Sequence, residues 1–280
     1  MMDSEQLLSQ EFIKAHPADA ARMLEQIQAR EVTGFLADIP PELAAMVTKR
    51  MLPSAATQWL ELMEATTAAS IIARLPIEIT AILLRRVGPP KRLGLMQTLP
   101  AEISESLELV LQYPQNTAGA LMDPRALTLT DDMTVSAALK LIQTQARHTY
   151  HDIPVLNREH ILRGLTSIRK LMLSEPEASV YSVMQTGIGQ FSPNSNREAI
   201  LAHPDWRTYH DLPVVDETGR FLGVIDYQTI RRLESDIKES IRPRSAYDTG
   251  KALGELYWIG MSAFIRGATT VVSPDKGPKE

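Results

Sequence analysis

The sequence predicts an α+β protein: an N-terminal all-α superhelix of short helices, then a tandem pair of β-α-β-β-α modules, then a C-terminal helix. Three observations support this prediction. Prolines recur at intervals of about 11 to 13 residues between His16 and Tyr113. The stretch TYHDIPV at 149–155 returns as TYHDLPV at 208–214. Leucine, methionine and aromatic side chains share one helical face between 249 and 267.

The prolines divide residues 1–113 into short helices. Proline suits the first helical turn because its missing N–H would be unpaired there, and a glutamate that follows complements the helix dipole. Helices of two or three turns are marginal alone in water, so they must stack through their apolar stripes into a superhelix. The prolines are Pro40, Pro53, Pro76, Pro89 and Pro100.

The two modules follow a connector at 114–122, which is rich in turn-forming and small residues. The first module is predicted at 123–178 and the second at 179–242, with Gly164 and Gly223 at the same offset. Each has the order strand, helix, strand, strand, helix. The predicted strands are 126–129, 153–156 and 161–165 in the first module, and 190–192, 212–215 and 221–225 in the second.

Composition and motifs exclude several classes of function. The net charge is -5 and the basic residues are scattered, which argues against a nucleic-acid partner. The absence of cysteine excludes disulfides and thiolate metal sites. No Walker loop, nucleophile elbow or HExxH motif is present, so we expect no enzyme. Without a secretion signal or a membrane-spanning run, the chain is expected to be cytoplasmic.

The order of the modules, with their P-V-[VL] strands, resembles a pair of CBS modules. Together with the proline-opened helices and the connector YPQNTAGALM at 113–122, it resembles the cytosolic region of MgtE-type magnesium transporters over roughly residues 15–241, without the membrane channel. The resemblance implies a non-catalytic regulatory protein that senses Mg²⁺ or an adenosine nucleotide. It also implies a homodimer joined through the CBS pairs, with a membrane cation transporter as partner.

Carboxylates are the candidate magnesium ligands, because a hard cation prefers oxygen. Glu78 stands at an acidic position of the family, and the two repeated aspartates enter the core strands. Two stretches depart from the family: PNSNR at 193–197, and Gln228 with Thr229, stand where the family carries acids. The candidate ligands are Glu78, Asp152, Asp205 and Asp211.

Hydroxyl and carboxylate groups after the last strand of each module are the candidate nucleotide ligands. CBS pairs hold ribose with Ser or Thr at this point and Asp three residues later. The first module has Ser167 followed by Lys170, and the second has Asp226 followed by Thr229. Ser167, Asp226 and Thr229 are therefore the predicted nucleotide-binding residues.

The tail at 243–280 is predicted to form an amphipathic helix followed by a disordered end. Its apolar face either packs on its own CBS pair, forms a dimer interface, or lies against a membrane or membrane protein. The alternative function is a structural adaptor that docks on a membrane protein at the inner face of the membrane, through the helical domain and this tail. The predicted contact residues are Tyr257, Trp258, Met261 and Phe264.

Overall fold

A computed structural model describes residues 4–145, 149–229 and 231. It confirms the α+β class, with helices first and mixed strands and helices after them. The predicted tail contacts Tyr257, Trp258, Met261 and Phe264 lie outside the described residues.

The N-terminal domain consists of short helices joined by tight turns. Its helices are α1 (Ser4–Ala15), α2 (Pro17–Leu24), α3 (Ala29–Asp38), α4 (Pro41–Thr48), α5 (Pro53–Leu62), α6 (Ala65–Ile72), α7 (Ile77–Arg86), α8 (Pro89–Thr98) and α9 (Ala101–Leu111).

The helices obey a stricter period than the prolines indicate. From α2 to α9 each helix starts 12 residues after the previous one, at 17, 29, 41, 53, 65, 77, 89 and 101. Proline does not open every helix: α6 begins at Ala65, where the Glu64 side chain accepts the N–H groups of Thr66 and Thr67. That cap supplies the acceptor that free helix N–H groups require.

An apolar residue two positions before the helix start secures each turn from α4 to α9. These six residues are 3% to 7% exposed, so the six turns are anchored in the core of the domain. From α2 onward each helix packs on its second neighbour, as α3 does on α5, α6 on α8 and α7 on α9, which makes a stacked solenoid. The six anchors are Ile39, Met51, Met63, Leu75, Val87 and Leu99.

The region after α9 contains two modules of the same design. It comprises α10 (Ala118–Leu121), β1 (Leu129–Thr130), α11 (Val135–Thr144), β2 (Asp152–Leu156), β3 (Leu162–Ser167), α12 (Ile168–Met172), α13 (Val180–Val183), α14 (Arg197–Leu201), a 3₁₀ helix (Pro204–Arg207), β4 (Asp211–Val215) and β5 (Phe221–Asp226). The chain is helical again at 227–229 and 231.

The strand register demonstrates the repeat. β2 and β3 pair antiparallel from Asp152↔Ser167 to Leu156↔Leu162, and β4 and β5 pair from Asp211↔Asp226 to Val215↔Phe221. Both ladders shift register one residue before the end of the first strand. A shared irregularity of this kind shows that the second module repeats the backbone of the first.

The first strand of each module is shorter than predicted. β1 covers Leu129–Thr130 and runs parallel to β2, whereas the strand expected at 190–192 is a single parallel bridge between Phe191 and Val214. Pro193 follows two residues later and has no N–H to extend a ladder, which explains the early end.

The modules exchange their entry segments. Asp123 is the first residue of the first module, yet its backbone pairs with Val224 of β5 in the second (N···O 2.8 and 3.1 Å). Gln185, at the entry of the second module, pairs with Leu165 of β3 in the first (2.7 and 2.9 Å). Neither sheet edge is complete without the other module, so the two fold as one unit.

Candidate functional site

The site lies where β2 and β4 begin, and two aspartates join the modules there. The N–H of Asp152 donates to Asp211 Oδ2 at 3.0 Å, and the N–H of His210 donates to Asp152 Oδ2 at 2.7 Å. The rings of His151 and His210 stack beside them, with centroids 4.9 Å apart. The repeated TYHD stretches therefore meet face to face.

Across each ladder from these aspartates stands a predicted nucleotide-binding residue. Ser167 is opposite Asp152, and Asp226 is opposite Asp211. Each of the two ends its strand and caps the following helix, as Ser167 Oγ accepts the Lys170 N–H (3.3 Å) and Asp226 Oδ1 accepts the Thr229 N–H (2.6 Å). The structure thus places the candidates of both modules at equivalent positions on the two sides of one centre.

The second module carries the more unusual electrostatics. Asp211 is only 4% exposed. Burial raises its pKa to about 6, the nearby charges of Asp152 and Asp226 add to the rise, and hydrogen bonds from the backbone N–H groups of Asp152 and His151 oppose it. Three carboxylates therefore share a small region in which negative charge is disfavoured.

Tyr150 brings in carboxylates from outside the ladders. Its hydroxyl donates to Asp123 Oδ2 at 3.1 Å, and Asp123 also pairs with Arg125 (3.2 Å). Burial raises the pKa of Tyr150 well above its usual value, and the charges of Asp123, Asp226 and Glu78 raise it further. The hydroxyl therefore keeps its proton throughout the physiological range and remains a donor.

The connector ties this centre to the helical domain. At its start Ala118 N–H donates to Ser195 O (2.9 Å) and Gly119 N–H to Pro193 O (2.8 Å), both in the second module. The ring of Tyr113 covers Gly119 so closely that a side chain there would overlap it. Arg85 of α7 donates to Tyr113 O at 2.7 Å. A continuous set of contacts runs from α7 to β5.

The four predicted metal ligands are not equally placed. Asp152 and Asp211 are joined by a hydrogen bond, and the charge of Glu78 contributes to the raised pKa of Tyr150. Asp205 has a structural partner instead, since its Oδ2 accepts the Gly189 N–H at 2.7 Å. Among the described residues no group of three or more histidines, aspartates or glutamates is arranged to hold a metal ion.

Sequence reasoning missed Asp123 and Arg125, and it assigned Tyr150 no binding role. Asp123 has no acidic counterpart in the second module, because Gln185 takes the equivalent bridging position. A search for repeated residues therefore gives no signal for it. The pairing of Asp123 with Val224 arises only when the entry segments cross between modules.

An apolar groove marks the outer face of the first module, between α11 and α12. Its volume is about 500 Å³. Met172 on its rim and the neighbouring Leu173 are 70% and 79% exposed. The lining residues are Val135, Ser136, Leu139, Lys140, Gln143, Leu171, Met172, Ser174 and Pro176.

None of the helices in the described part of the chain has the length and hydropathy needed to cross a membrane.

These features define the chain as a short-helix solenoid joined to a pair of interlocked β-α-β-β-α modules. Residues 15–116 match the MgtE intracellular N domain, and residues 118–175 match the CBS domain. The chain thus combines an MgtE N domain with a CBS domain and is homologous to the cytosolic domains of MgtE magnesium transporters.

Curated relatives agree with this assignment. The chain is 27% identical over 145 residues to the magnesium transporter MgtE of Thermus thermophilus, covering 51% of this chain and 32% of that protein. It is 25% identical over 137 residues to MgtE of Bacillus subtilis, covering 48% of this chain and 30% of that protein. The aligned part therefore spans about a third of these relatives.

Solved structures share the fold. The cytosolic domain of the Mg²⁺ channel MgtE in complex with ATP superposes with a TM-score of 0.74 at 22% identity, covering 80% of this chain and 93% of that one. The soluble part of a magnesium transporter gives a TM-score of 0.60 at 18% identity, covering 83% and 98%. At these identities the similarity concerns the fold.

Proposed function

We propose that this protein is a non-catalytic regulatory module that binds an adenosine nucleotide between its CBS modules and modulates a membrane cation transporter. The observation that carries the proposal is the placement of Asp226 and Thr229 at the start of a helix, opposite Asp211. The structurally similar cytosolic domain of MgtE was solved with ATP. We place the protein in the cytoplasm, at the inner face of the membrane.

The second module offers the better ribose site. Asp226 uses Oδ1 to accept the Thr229 N–H, and a carboxylate has lone pairs on both oxygens for further donors. Ribose hydroxyls are suitable donors. In the first module Ser167 supplies a hydroxyl, but Lys170 replaces the acid that would accept a second ribose hydrogen bond. We therefore assign Asp226 and Thr229 to ribose, with Ser167 as a weaker second site.

Magnesium fits this site best as a complex with the nucleotide. Mg²⁺ retains several waters and commonly uses one or two carboxylates together with phosphate oxygens. Asp152 and Asp211 already accept backbone hydrogen bonds, which supports a role as a source of negative potential. Under this proposal Glu78, Asp152 and Asp211 attract the cation, while Asp205 stabilises the loop at Gly189.

Calorimetry on the full chain tests the proposal. We expect saturable heat from ATP, ADP or AMP, and tighter ATP binding when Mg²⁺ is present. D226N and T229V should each weaken binding about tenfold, in keeping with the loss of one or two hydrogen bonds. The matched control D216N changes an exposed turn aspartate outside the site and should bind normally. Absence of heat from all three nucleotides, with and without Mg²⁺, would refute the proposal.

We also propose that two copies join through the CBS pairs. The support is the groove between α11 and α12, together with the exposure of Met172 and Leu173 beside it. Apolar side chains at this exposure are typical of interfaces. Light scattering should give a dimer that M172E converts to monomer. L93E, at an exposed leucine of the helical domain (61%), is the control. A monomeric wild type would contradict this proposal.

A further inference from the structure

Two features of the candidate site have no part in the proposed nucleotide contacts: the stacked rings of His151 and His210, and the buried contacts around Tyr150. The contacts around Tyr150 carry an inference, because they connect the proposed ligand residue Asp226 with the helical domain. The connection involves a side chain from the first module, a backbone segment from the connector and a strand of the second module.

We propose that Tyr150 is a positioning residue that transmits the state of Asp226 to the helical domain, through its hydroxyl bond to Asp123. The inference rests on the proposed function, since it concerns the regulation of that same site. The binding contacts remain with Asp226 and Thr229, and Tyr150 acts through its neighbours.

The geometry supplies a short route from Asp226. Asp123 is held against Val224, two residues before Asp226, by two backbone hydrogen bonds. A side chain at Gly223 would come within 2.9 Å of the Asp123 carbonyl oxygen, so connector and strand are in close contact. A shift of the end of β5 therefore shifts Asp123, and Tyr150 receives that shift through a 3.1 Å hydrogen bond.

The connector continues this route to the helical domain. α10 ends two residues before Asp123 and packs against both α7 and β5. Tyr150 holds Asp123 through its hydroxyl bond, and Arg125 pairs with the same carboxylate at 3.2 Å. When a ligand engages Asp226, β5 and Asp123 shift together, and α10 carries the shift to α7. The charges of Asp226 and Glu78, which contribute to the raised pKa of Tyr150, act in the same region.

The repeat provides an internal control. Tyr209 is the counterpart of Tyr150, and the charges near its hydroxyl are those of Asp205 and Asp152 rather than Asp226 and Glu78. A phenylalanine at either position keeps the ring and removes the hydroxyl. The two substitutions therefore have similar chemistry and differ in their connection to α7.

Hydrogen exchange of the α7 peptides in the full chain, with and without Mg²⁺–ADP, tests the proposal. In the wild type and Y209F, nucleotide should change α7 exchange by about threefold, within the range of coupling that such contacts carry. Y150F should bind the nucleotide with similar affinity and lose this change. A nucleotide response in Y150F equal to that of the wild type would overturn the proposal, as would equal losses in both variants.

A second comparison needs no ligand. D226N removes the charge and keeps the helix cap, because asparagine caps as well as aspartate. D226N should alter α7 exchange in the wild-type background and leave it unchanged in the Y150F background. Equal changes in both backgrounds would overturn the role of Tyr150. If nucleotides fail to bind while this comparison succeeds, the proposed ligand is wrong and the coupling stands.

Discussion

Asp152 accepts a hydrogen bond from the backbone of the second module, and Asp211 accepts one from the backbone of the first. The two aspartates thus hold the modules together by reciprocal contacts across their common centre. They are not equivalent in environment. Asp211 is buried while Asp152 is partly exposed, and burial raises the pKa of Asp211 to about 6.

Asp211 should make stability depend on pH in the acidic range. Its pKa is about 6 in the folded state and about 3.9 in an unfolded chain, so between these values only the folded state keeps the proton. The free energy of unfolding therefore falls as pH rises through this window, by on the order of 3 kcal/mol. Denaturation at several pH values should show D211N gaining stability relative to wild type from pH 4 to 7.

Asp216 provides the comparison of opposite sign. Hydrogen bonds from Thr218 and Arg220 lower its pKa, so its contribution is present above the unfolded pKa and lost as pH falls. D216N should be less stable than wild type at neutral pH, with the difference closing in acid. Parallel pH profiles for D211N and wild type would contradict the prediction for Asp211.

Two isoleucines at the same position of the 12-residue repeat should differ in how much their replacement by alanine lowers the free energy of unfolding. Ile39 and Ile27 occupy the same position of the 12-residue repeat, but Ile39 is 6% exposed and Ile27 is 44% exposed. I39A should lower the free energy of unfolding by about 2–4 kcal/mol through the cavity it leaves. I27A should cost less than about 1 kcal/mol because its side chain is half in water. Urea denaturation measures both free energies, and equal costs would show that burial of the side chain does not set the cost.

Arg85 should stabilise the junction between α7 and the connector. Its guanidinium donates to Tyr113 O and to Val110 O (3.1 Å), which end α9. R85A should cost about 1–3 kcal/mol, since two carbonyls lose a charged donor. R86A changes the exposed neighbour and should stay within about 0.5 kcal/mol of wild type. Similar denaturation midpoints for R85A and R86A would argue against the junction.

Two glycines should respond in opposite directions to alanine. Gly94 lies inside α8, and a methyl group added there would meet open space. G94A should therefore stabilise the folded protein by about 0.5–1 kcal/mol, because alanine has the higher helix propensity. Gly119 lies under the Tyr113 ring, so G119A must displace that ring and should destabilise. Thermal unfolding should raise the midpoint for one variant and lower it for the other; a rise for both would show that the connector is loosely packed.

Local patterns made most of the architecture predictable. Proline positions, apolar spacing and the TYHD repeat depend on neighbours within a dozen residues, and the structure confirms the α+β class that they predict. The predicted first strand of the second module was wrong, because a contact from a distant part of the chain decided its structure: Phe191 bridges Val214 without forming a strand. The metal-ligand role of Asp205 stays a prediction, and its Oδ2 accepts the Gly189 N–H.

The sequence by itself determined the short helices and the duplicated module, because helix caps and periodic burial are properties of nearby residues. It also identified Asp152, Asp211 and Asp226 as polar residues at strand ends. Only the tertiary structure decided that Asp123 pairs with β5 and that the Tyr150 hydroxyl donates to Asp123. Residues distant along the chain acquire this arrangement because burial strongly favours a hydrogen-bond partner for a polar group, and the crossing segments bring one.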